Sequence, residues 1–224
     1  MEIALGKKSG RISLEELARR VDGRCTLVDI GTGDGKFVLR AAKSDPALFA
    51  VGVDACRENL REAARQTPAN ALFVIAAAES LPDELNGLAD RLVINFPWGS
   101  LLKGLLEMDP ALMDGLARVA RPGARFELRL NASAAAKAGY TLEDAAGAAA
   151  AALTRAGFDL TPPAALSPAD LRALPSSWAR RLASGQGGEP GSTPALALTG
   201  CYTGCPLGAA GSLLISKWMI SQSR

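Results

Sequence analysis

Short apolar runs alternate with amphipathic segments along the first 130 residues of the chain. Five of these runs have the length of strands, and the segments between them carry apolar residues at helical spacing. Strands that alternate with helices form a mostly parallel sheet. Two later runs extend it, so the pattern predicts an α/β fold with a Rossmann-like, seven-stranded sheet, its strands at residues 26–30, 49–53, 72–75, 91–95, 124–130, 158–160 and 195–199.

The N-terminal residues precede this alternation. Residues 1–12 include the basic sequence Lys7-Lys8-Ser9-Gly10-Arg11 and are predicted to form a hairpin. Ser13, followed three residues later by Glu16, is a capping box that predicts a short helix through Arg20. We expect one domain that spans residues 1–224, because a chain of this length needs stronger evidence to be divided.

Two insertions and a tail complete the predicted organisation. Residues 131–157 are alanine-rich with helical spacing and end at Gly157, a residue type typical of helix C-caps. Residues 167–191 carry Trp178 and two arginines. Both segments follow strands, the fifth and the sixth, and insertions above the carboxyl ends of strands shape the substrate site in such folds. The tail at 202–224, which contains Trp218, has no assigned role.

Composition indicates a folded protein and gives little sign of its partners. Forty-eight percent of the residues are hydrophobic and the formal net charge is +2, without the large basic excess of many nucleic-acid-binding proteins. The first residues lack the apolar core of a signal peptide, so we expect a cytoplasmic protein. The uncharged stretch at 190–216 contains several prolines and glycines, so no membrane span is expected.

Cysteine usage predicts neither a disulfide framework nor a metal site. Cys201 and Cys205 form one close pair, whereas Cys25 and Cys56 stand alone, and the chain has no histidine. A zinc site would need a second close pair or histidines. We therefore expect free thiols and no metal.

A glycine-rich turn after the first core strand indicates the cofactor. The sequence Gly31-Thr32-Gly33-Asp34-Gly35 follows Asp29, and a second strand ends in Asp54, nineteen residues after Gly35. This strand–turn–helix–strand–acid order places a nucleoside at the carboxyl edge of the sheet. Dinucleotide sites instead use G-x-G-x-x-G to approach a pyrophosphate, which the buried Asp29 would repel.

S-adenosylmethionine fits this spacing because it has no phosphate. Its cationic amino group can be held by an acid, and its ribose diol can donate two hydrogen bonds to Asp54. The turn therefore predicts a class I S-adenosylmethionine-dependent methyltransferase. A plain strand-to-helix turn without a ligand is the alternative.

Aromatic residues in two segments indicate a flat substrate. The fourth core strand ends in Asn95-Phe96-Pro97-Trp98, which partly resembles the polar–proline–aromatic arrangement of enzymes that methylate exocyclic amines. Trp178 precedes Arg180 and Arg181 in a segment predicted to be a loop on the same face as Trp98. Two tryptophans can hold a flipped base between them while arginines neutralise phosphates. The alternatives are a core position for Trp98 and a short amphipathic helix with Trp178 turned inward.

Four segments together resemble a known family. They are DIGTGDG at 29–35, AAAESLP at 76–82, FPWGSLL at 96–102 and SWARRL at 177–182. In this order they resemble the aminoglycoside-resistance methyltransferases, of the Kam and Npm type, that modify N1 of adenine 1408 in helix 44 of 16S ribosomal RNA. The resemblance implies S-adenosylmethionine as cofactor, 16S rRNA in the 30S subunit as partner, and a monomer.

The resemblance also implies roles for individual residues. Trp98 and Trp178 would hold the flipped adenine, with Phe96 beside them as a further catalytic-site residue. The cofactor would be lined by Asp29, Gly31, Gly33, Asp54, Ala78, Glu79, Asn95, Ser100 and Ser176. The RNA would dock on Lys7, Lys8, Arg11, Arg57, Arg61, Arg180 and Arg181.

The chemistry of adenine N1 agrees with a chain that lacks histidine. The N1 lone pair lies in the plane of the neutral ring, so it can attack a sulfonium methyl without prior deprotonation, and alignment of the reactants suffices. Methylation of an exocyclic amine would gain from a polar acceptor, which Asn95 could supply. Two alternatives therefore stay open: a methyltransferase of the same fold that acts on an exocyclic amine or small molecule, and a weakly active cofactor-binding relative.

Overall fold

The computed structural model describes residues 1–184 and 193–204. Within these residues ten strands form one sheet. The strands are β1 (Glu2–Leu5), β2 (Lys8–Arg11), β3 (Cys25–Ile30), β4 (Leu48–Asp54), β5 (Ala71–Ile75), β6 (Ala89–Asn95), β7 (Ala120–Asn131), β8 (Phe158–Leu160), β9 (Ala164–Ala165) and β10 (Ala195–Tyr202). All seven predicted runs are strands, which confirms the α/β assignment.

The same residues contain nine α-helices. They are α1 (Leu14–Val21), α2 (Lys36–Ser44), α3 (Arg57–Arg65), α4 (Gly99–Glu107), α5 (Pro110–Val119), α6 (Ala132–Lys137), α7 (Leu142–Arg155), α8 (Pro168–Ala173) and α9 (Ser177–Ala183). The predicted start of α1 is confirmed, because Ser13 Oγ accepts a hydrogen bond from the Glu16 amide at 3.2 Å.

The sheet is mixed rather than mostly parallel. Its order is β2-β1-β5-β4-β3-β6-β7-β10-β8, with β9 paired to β10. The pairings among β3 to β7 are parallel, whereas those of β1, β2, β8, β9 and β10 are antiparallel. The prediction of seven strands is wrong because the two strands of the N-terminal hairpin join the sheet through Ile3, paired with Val74, and the short β9 pairs with β10. The hairpin turn itself is Gly6–Lys7, so most of the basic segment lies on strand β2.

The helix predicted between the third and fourth core strands is absent from the described residues. Two 3₁₀ turns, Ala78–Ser80 and Asp83–Leu85, stand in its place. Pro82 lies between them and has no N–H to donate, so a continuous helix would lose a hydrogen bond there. The first of these turns lies at the carboxyl edge of the sheet, where it borders the site described below.

The segment at 131–157 packs largely in the core. Its main element, α7, buries Ala145, Ala149 and Leu153 in the core and packs on α4, β7, β8 and β10. Small alanine side chains allow such a helix to lie close to the sheet. As predicted, α7 ends before a glycine with a left-handed conformation, Gly157 at φ 94°.

The core lies on both faces of the sheet. On one face, Val28 and Ile30 of β3 pack with side chains from α1, α4, α5 and α7. On the other, Leu27 packs with side chains from α2 and α3. The alternation along β3 places Asp29 on the face of Leu27, with 1% of its surface exposed. A buried carboxyl thus reaches the carboxyl edge of the central strand.

Some predictions fall on residues outside 1–184 and 193–204. Cys205, Trp218, most of the tail and the end of the 167–191 segment are among them. Cys25, Cys56 and Cys201 are free thiols. None of the described helices is long and apolar enough to cross a bilayer. The same part of the chain holds no cluster of three or more potential metal ligands from Asp, Glu, Cys or His.

Candidate active site

The glycine-rich turn between β3 and α2 is shaped by its glycines. Gly31, Gly33 and Gly35 have φ angles of 72°, 57° and 69°, which L-residues with a side chain rarely adopt. A Cβ on Gly35 would lie 2.6 Å from the Ala63 side chain and 2.7 Å from the Phe73 ring. The turn can therefore pack this closely on α3 and β5 only with glycine at this position. The close packing leaves space on the cavity side of the turn.

Asp54 at the end of β4 is fixed by backbone donors. Its Oδ2 accepts from the Gly33 amide at 2.8 Å, and its Oδ1 accepts from the Cys56 amide at 2.9 Å. Oδ1 also accepts a long hydrogen bond from Asn59 Nδ2 at 3.4 Å, whereas Oδ2 keeps a further lone pair. Asp54 thus presents a preoriented acceptor for a hydroxyl group beside the glycine-rich turn.

Asp29 is a buried carboxyl with polar partners. Its Oδ2 accepts from Thr32 Oγ1 at 2.6 Å, and its Oδ1 accepts from Asn95 Nδ2 at 3.1 Å. Burial raises the pKa of Asp29 from 3.8 to about 7, although the hydrogen bonds of Thr32 and Asn95 and the charge of Arg129 oppose the rise. A cation that reached Asp29 would favour its ionised form.

These carboxyls lie in a cavity of about 680 Å³ at the carboxyl edge of the sheet. Its walls come from the ends of β3, β4 and β6, the 3₁₀ turn at Ala78–Ser80, the start of α4 and the start of α9. Its lining includes every residue predicted to bind the cofactor: Asp29, Gly31, Gly33, Asp54, Ala78, Glu79, Asn95, Ser100 and Ser176.

Trp98 and Trp178 line the same cavity and contact each other. Their ring centroids are 5.1 Å apart, and their planes are inclined by 28°. The two cations Lys137 and Arg181 lie over the outer faces, with Lys137 Nζ 5.8 Å from the Trp98 centroid and Arg181 Cζ 5.3 Å from that of Trp178. We call Trp98 and Trp178 the aromatic pair. It is closed, so a base cannot lie between the rings in this arrangement.

Phe96 lines the cavity but is almost fully buried. Only 2% of its surface is exposed, and it packs with Leu171, Ala179 and Leu182 beneath α8 and α9. Its φ of 52° is unusual for a bulky residue and costs about 1–3 kcal/mol. The packing under α8 and α9 offsets this strain, so Phe96 orients the loop that carries Trp98.

Trp178 lies on a helix, not on the predicted loop. Pro175 separates α8 from α9, and Ser167 and Asp170 form a full capping box at the start of α8. Ala179 and Leu182 of α9 are buried, whereas Trp178 is only partly buried. The amphipathic-helix alternative was therefore right about the helix, but the indole faces Trp98 rather than the interior alone.

Three side chains that sequence reasoning missed join α9 to the glycine-rich turn. Lys36 Nζ donates to Asp34 Oδ2 at 2.7 Å and to Ser177 Oγ at 3.0 Å, and Ser177 Oγ donates to the same Asp34 oxygen at 2.7 Å. Partial burial opposes ionisation of Asp34, but these hydrogen bonds outweigh it and lower its pKa. We call Asp34, Lys36 and Ser177 the clasp. It couples the cofactor turn to the helix of Trp178.

The predicted RNA-binding residues are all exposed. Lys7 lies in the hairpin turn, and Lys8 and Arg11 lie on β2. Arg57 and Arg61 lie on α3, which packs against β1. Arg180 and Arg181 lie on α9, and Arg181 also borders the cavity. The basic side chains therefore fall into two groups, one along the hairpin and α3 and one beside the aromatic pair.

Comparison with known proteins identifies one family. The profile of the NpmA family, described as 16S rRNA (adenine(1408)-N(1))-methyltransferase, matches residues 2–191. A protein of that description from Streptoalloteichus tenebrarius is 32% identical over 203 residues, which is 82% of this chain and 93% of that protein.

Two solved structures are similar over nearly the whole chain. The 16S rRNA methyltransferase KamB is 31% identical with a TM-score of 0.80, covering 91% of this chain and 100% of that one. A tryptophan-to-alanine mutant of the 16S rRNA (adenine(1408)-N(1))-methyltransferase from Catenulisporales acidiphilia, with cosubstrate SAM, is 27% identical with a TM-score of 0.77. It covers 94% of this chain and 100% of its own.

Proposed function

The chain belongs to the NpmA family of 16S rRNA (adenine(1408)-N(1))-methyltransferases, and we propose that it transfers a methyl group from S-adenosylmethionine to N1 of adenine 1408 in the 30S subunit. The methylated base then impairs aminoglycoside binding, so the activity confers resistance. The observation that carries the proposal is one cavity with two carboxyls at its base and the aromatic pair at its wall.

The polar groups of the cavity fit S-adenosylmethionine. Asp54 Oδ2 offers a free lone pair to a ribose diol, whose second hydroxyl can replace the long Asn59 contact on Oδ1, and Asp29 offers a carboxylate to a cationic amino group. A phosphate would meet the same two carboxylates and be repelled, which disfavours a dinucleotide. When bound, S-adenosylmethionine supplies an electrophilic methyl group on a sulfonium centre.

The aromatic pair must open to admit a base. A base stacked between two rings needs a centroid separation of about 7 Å, twice an optimal carbon–carbon contact, compared with 5.1 Å here. The rings therefore separate by about 2 Å. A second cavity of about 430 Å³ lies on the α4 and α6 side of Trp98, so the Trp98 ring has space into which it can move. The clasp meanwhile keeps Trp178 near the glycine-rich turn.

The pair then stabilises the charge that develops on the base. Methylation at N1 leaves adenine cationic, and an indole face attracts a cation by about 0.5–2 kcal/mol. The N1 lone pair needs no general base, so the residues of this chain act by orienting the base and excluding water. Phe96 supports the loop that carries Trp98, and the clasp holds the helix that carries Trp178, so both help to orient the base.

The exposed basic residues hold the RNA. Lys7, Lys8 and Arg11 on the hairpin, with Arg57 and Arg61 on the adjoining α3, form one group that contacts phosphates away from the site. Arg180 and Arg181 form the second, next to the flipped base. Phosphate contacts of this kind position the enzyme without reading sequence, and their strength falls as salt rises.

Methyl transfer from labelled S-adenosylmethionine to purified 30S subunits tests the proposal. Trp178→Ala should lower kcat/KM by roughly 5- to 150-fold, because stacking of a base is worth about 1–3 kcal/mol. Trp178→Phe is the matched control and should keep most of the activity. Deproteinised 16S rRNA, tested in parallel, should be a poorer acceptor.

Two results would contradict the proposal. If calorimetry shows S-adenosylmethionine binding but no methyl reaches the 30S subunit, the ribosomal acceptor is wrong, and a different acceptor or a cofactor-binding role takes its place. If the Trp178→Ala variant is as active as the wild type, the aromatic pair does not hold the base.

A further inference from the structure

A row of polar side chains runs along β6 and β7 to the cavity. Arg91 and Asn95 of β6 and Glu127 and Arg129 of β7 make up this polar row, and Asn95 is paired in register with Arg129. Arg129 Nη1 donates to Asn95 Oδ1 at 2.7 Å, and Asn95 Nδ2 donates to Asp29 Oδ1 at 3.1 Å. Arg129 is mostly buried, with 13% of its side chain exposed, and it is not part of the cavity lining.

The donor and acceptor capacities of these groups fix the Asn95 amide. A guanidinium can only donate hydrogen bonds, so the atom of Asn95 that faces Arg129 must be the carbonyl oxygen. The NH₂ end then faces Asp29, where an acceptor lies. A flipped amide would place two donors against each other at the 2.7 Å separation. Arg129 and Asp29 therefore both favour the orientation in which the Asn95 oxygen is turned away from the cavity residues.

Arg129 is itself held in place. Its Nη2 forms a short ion pair with Glu127 Oε2, and Glu127 Oε1 lies 3.3 Å from Arg91 Nη2. A carboxylate between two guanidinium groups restrains both. The orientation of Asn95 is thus supported by the whole polar row and not by one exposed side chain.

The orientation bears on which nitrogen of adenine reacts. An exocyclic amine carries hydrogens that need an acceptor as the methyl group arrives, whereas ring N1 has a free lone pair and needs none. Because Arg129 engages the Asn95 oxygen, the amide offers N–H groups on its Asp29 side, and these would oppose the N–H groups of N6. The Asn95 amide therefore presents no acceptor to an amine at this position.

We propose that Arg129 is a positioning residue that sets the choice of ring N1 over the exocyclic N6 by holding the carbonyl of Asn95 away from the substrate. This inference rests on the proposed function, since it concerns the atom methylated at the same base. Arg129 touches neither base nor cofactor: it acts on the choice of nitrogen through Asn95, while its charge also favours the ionised form of Asp29.

The ratio of N6-methyladenosine to N1-methyladenosine in digested rRNA tests the proposal. Arg129→Met should raise this ratio tenfold or more above the wild type, because only the hydrogen bond to Asp29 would then keep the Asn95 oxygen from turning inward. Asn95→Ala and the double variant should keep the wild-type ratio, since neither has an amide to turn. Arg129→Lys, which can also only donate, should restore N1 selectivity.

Glu127→Gln provides a second variant in case Arg129→Met does not fold. It keeps Arg129 but removes the charge that restrains it, so the ratio should rise less than in Arg129→Met but in the same direction. An unchanged ratio in both folded variants would overturn the proposal. An equal rise in Asn95→Ala would do so too, because the effect would not pass through Asn95.

A measurement without rRNA separates this inference from the proposed function. In the SAM-free protein, the NMR signal of the Asn95 side-chain NH₂, assigned by its loss in Asn95→Ala, should exchange slowly with water. Arg129→Met should speed that exchange or shift the signal. If the wild type methylates no rRNA, the proposed function fails, but the NMR result still decides whether Arg129 fixes the amide. An identical signal in the wild type and Arg129→Met would refute that role of Arg129.

Discussion

Replacement of the buried Asp29 by asparagine should stabilise the cofactor-free protein at neutral and alkaline pH. Burial raises the pKa of Asp29 to about 7, so ionisation in the folded state costs free energy that ionisation in the unfolded chain does not. The introduced asparagine would keep both hydrogen bonds, since its oxygen can accept from Asn95 and its NH₂ can donate to Thr32, whose hydroxyl can rotate.

The size of the effect follows from the pKa difference. A rise from 3.8 to about 7 corresponds to about 4 kcal/mol between the two limits of pH. Between pH 3.8 and pH 7 the folded state holds a proton on Asp29 that the unfolded state has lost. The stability contributed by the protonated form is therefore complete below pH 3.8, declines as pH rises to about 7 and is gone above it. About 2.5 kcal/mol of the loss falls between about pH 5 and pH 8.

Urea unfolding of the wild type and Asp29→Asn, without cofactor, gives the assay. The difference in the free energy of unfolding between the two proteins should grow in favour of the variant by about 2.5 kcal/mol from about pH 5 to pH 8. In thermal unfolding this corresponds to a divergence in Tm of roughly 5–10 °C. Other titrating groups are common to both proteins, so they cancel in the difference.

A stability difference that stays constant over this pH range would refute this reasoning. It would mean that Asp29 ionises in the folded state as easily as in the unfolded chain. A variant that is less stable at every pH, with no trend, would show that the lost carboxylate was a net stabilising hydrogen-bond acceptor instead.

Three further predictions concern the same site. The Kd of S-adenosylmethionine should rise toward tenfold for each pH unit below about 7 as Asp29 becomes protonated, and calorimetry of Asp29→Asn should show weak binding without this dependence. Gly35→Ala should cost about 2–4 kcal/mol of stability by unfolding, from its left-handed φ and the contacts its Cβ would make, whereas Gly23→Ala, equally left-handed but in open space, should cost about 1–2 kcal/mol; equal losses would exclude the contacts. Ser177→Ala should lower kcat/KM on 30S subunits by about threefold to tenfold with less than about 1 kcal/mol of lost stability, because the clasp positions Trp178; unchanged kinetics would show that α9 needs no clasp.

The parts of the fold that follow from local patterns could be predicted from the sequence. The β3 strand, the glycine-rich turn and the acid that ends β4 depend on residues close in the chain, and all three are present. The same holds for the hairpin and the cap at Ser13. These features are decided by backbone conformation and by the period of apolar residues, both of which a single sequence carries.

Other parts depend on which elements meet in space. Pro82 breaks the helix that was expected before β6. The alanine-rich sequence of α7 predicts a helix, but it does not show that this helix packs closely on the sheet. Glu127 and Arg129 alternate with apolar residues along β7, as they would on a solvated strand face, so no local signal points to Asn95. The closed aromatic pair and the clasp likewise join residues about 80 and 140 positions apart.

Primer extension on 16S rRNA is the most direct test of methylation at N1 of adenine 1408. Purified 30S subunits are incubated with the enzyme and S-adenosylmethionine, and reverse transcriptase is then run across the decoding site. A methyl group on N1 blocks Watson–Crick pairing, whereas one on N6 does not, so we expect a new stop next to adenine 1408 that requires both enzyme and cofactor. Full read-through at that adenine, in subunits that carry the labelled methyl group elsewhere or not at all, would contradict it.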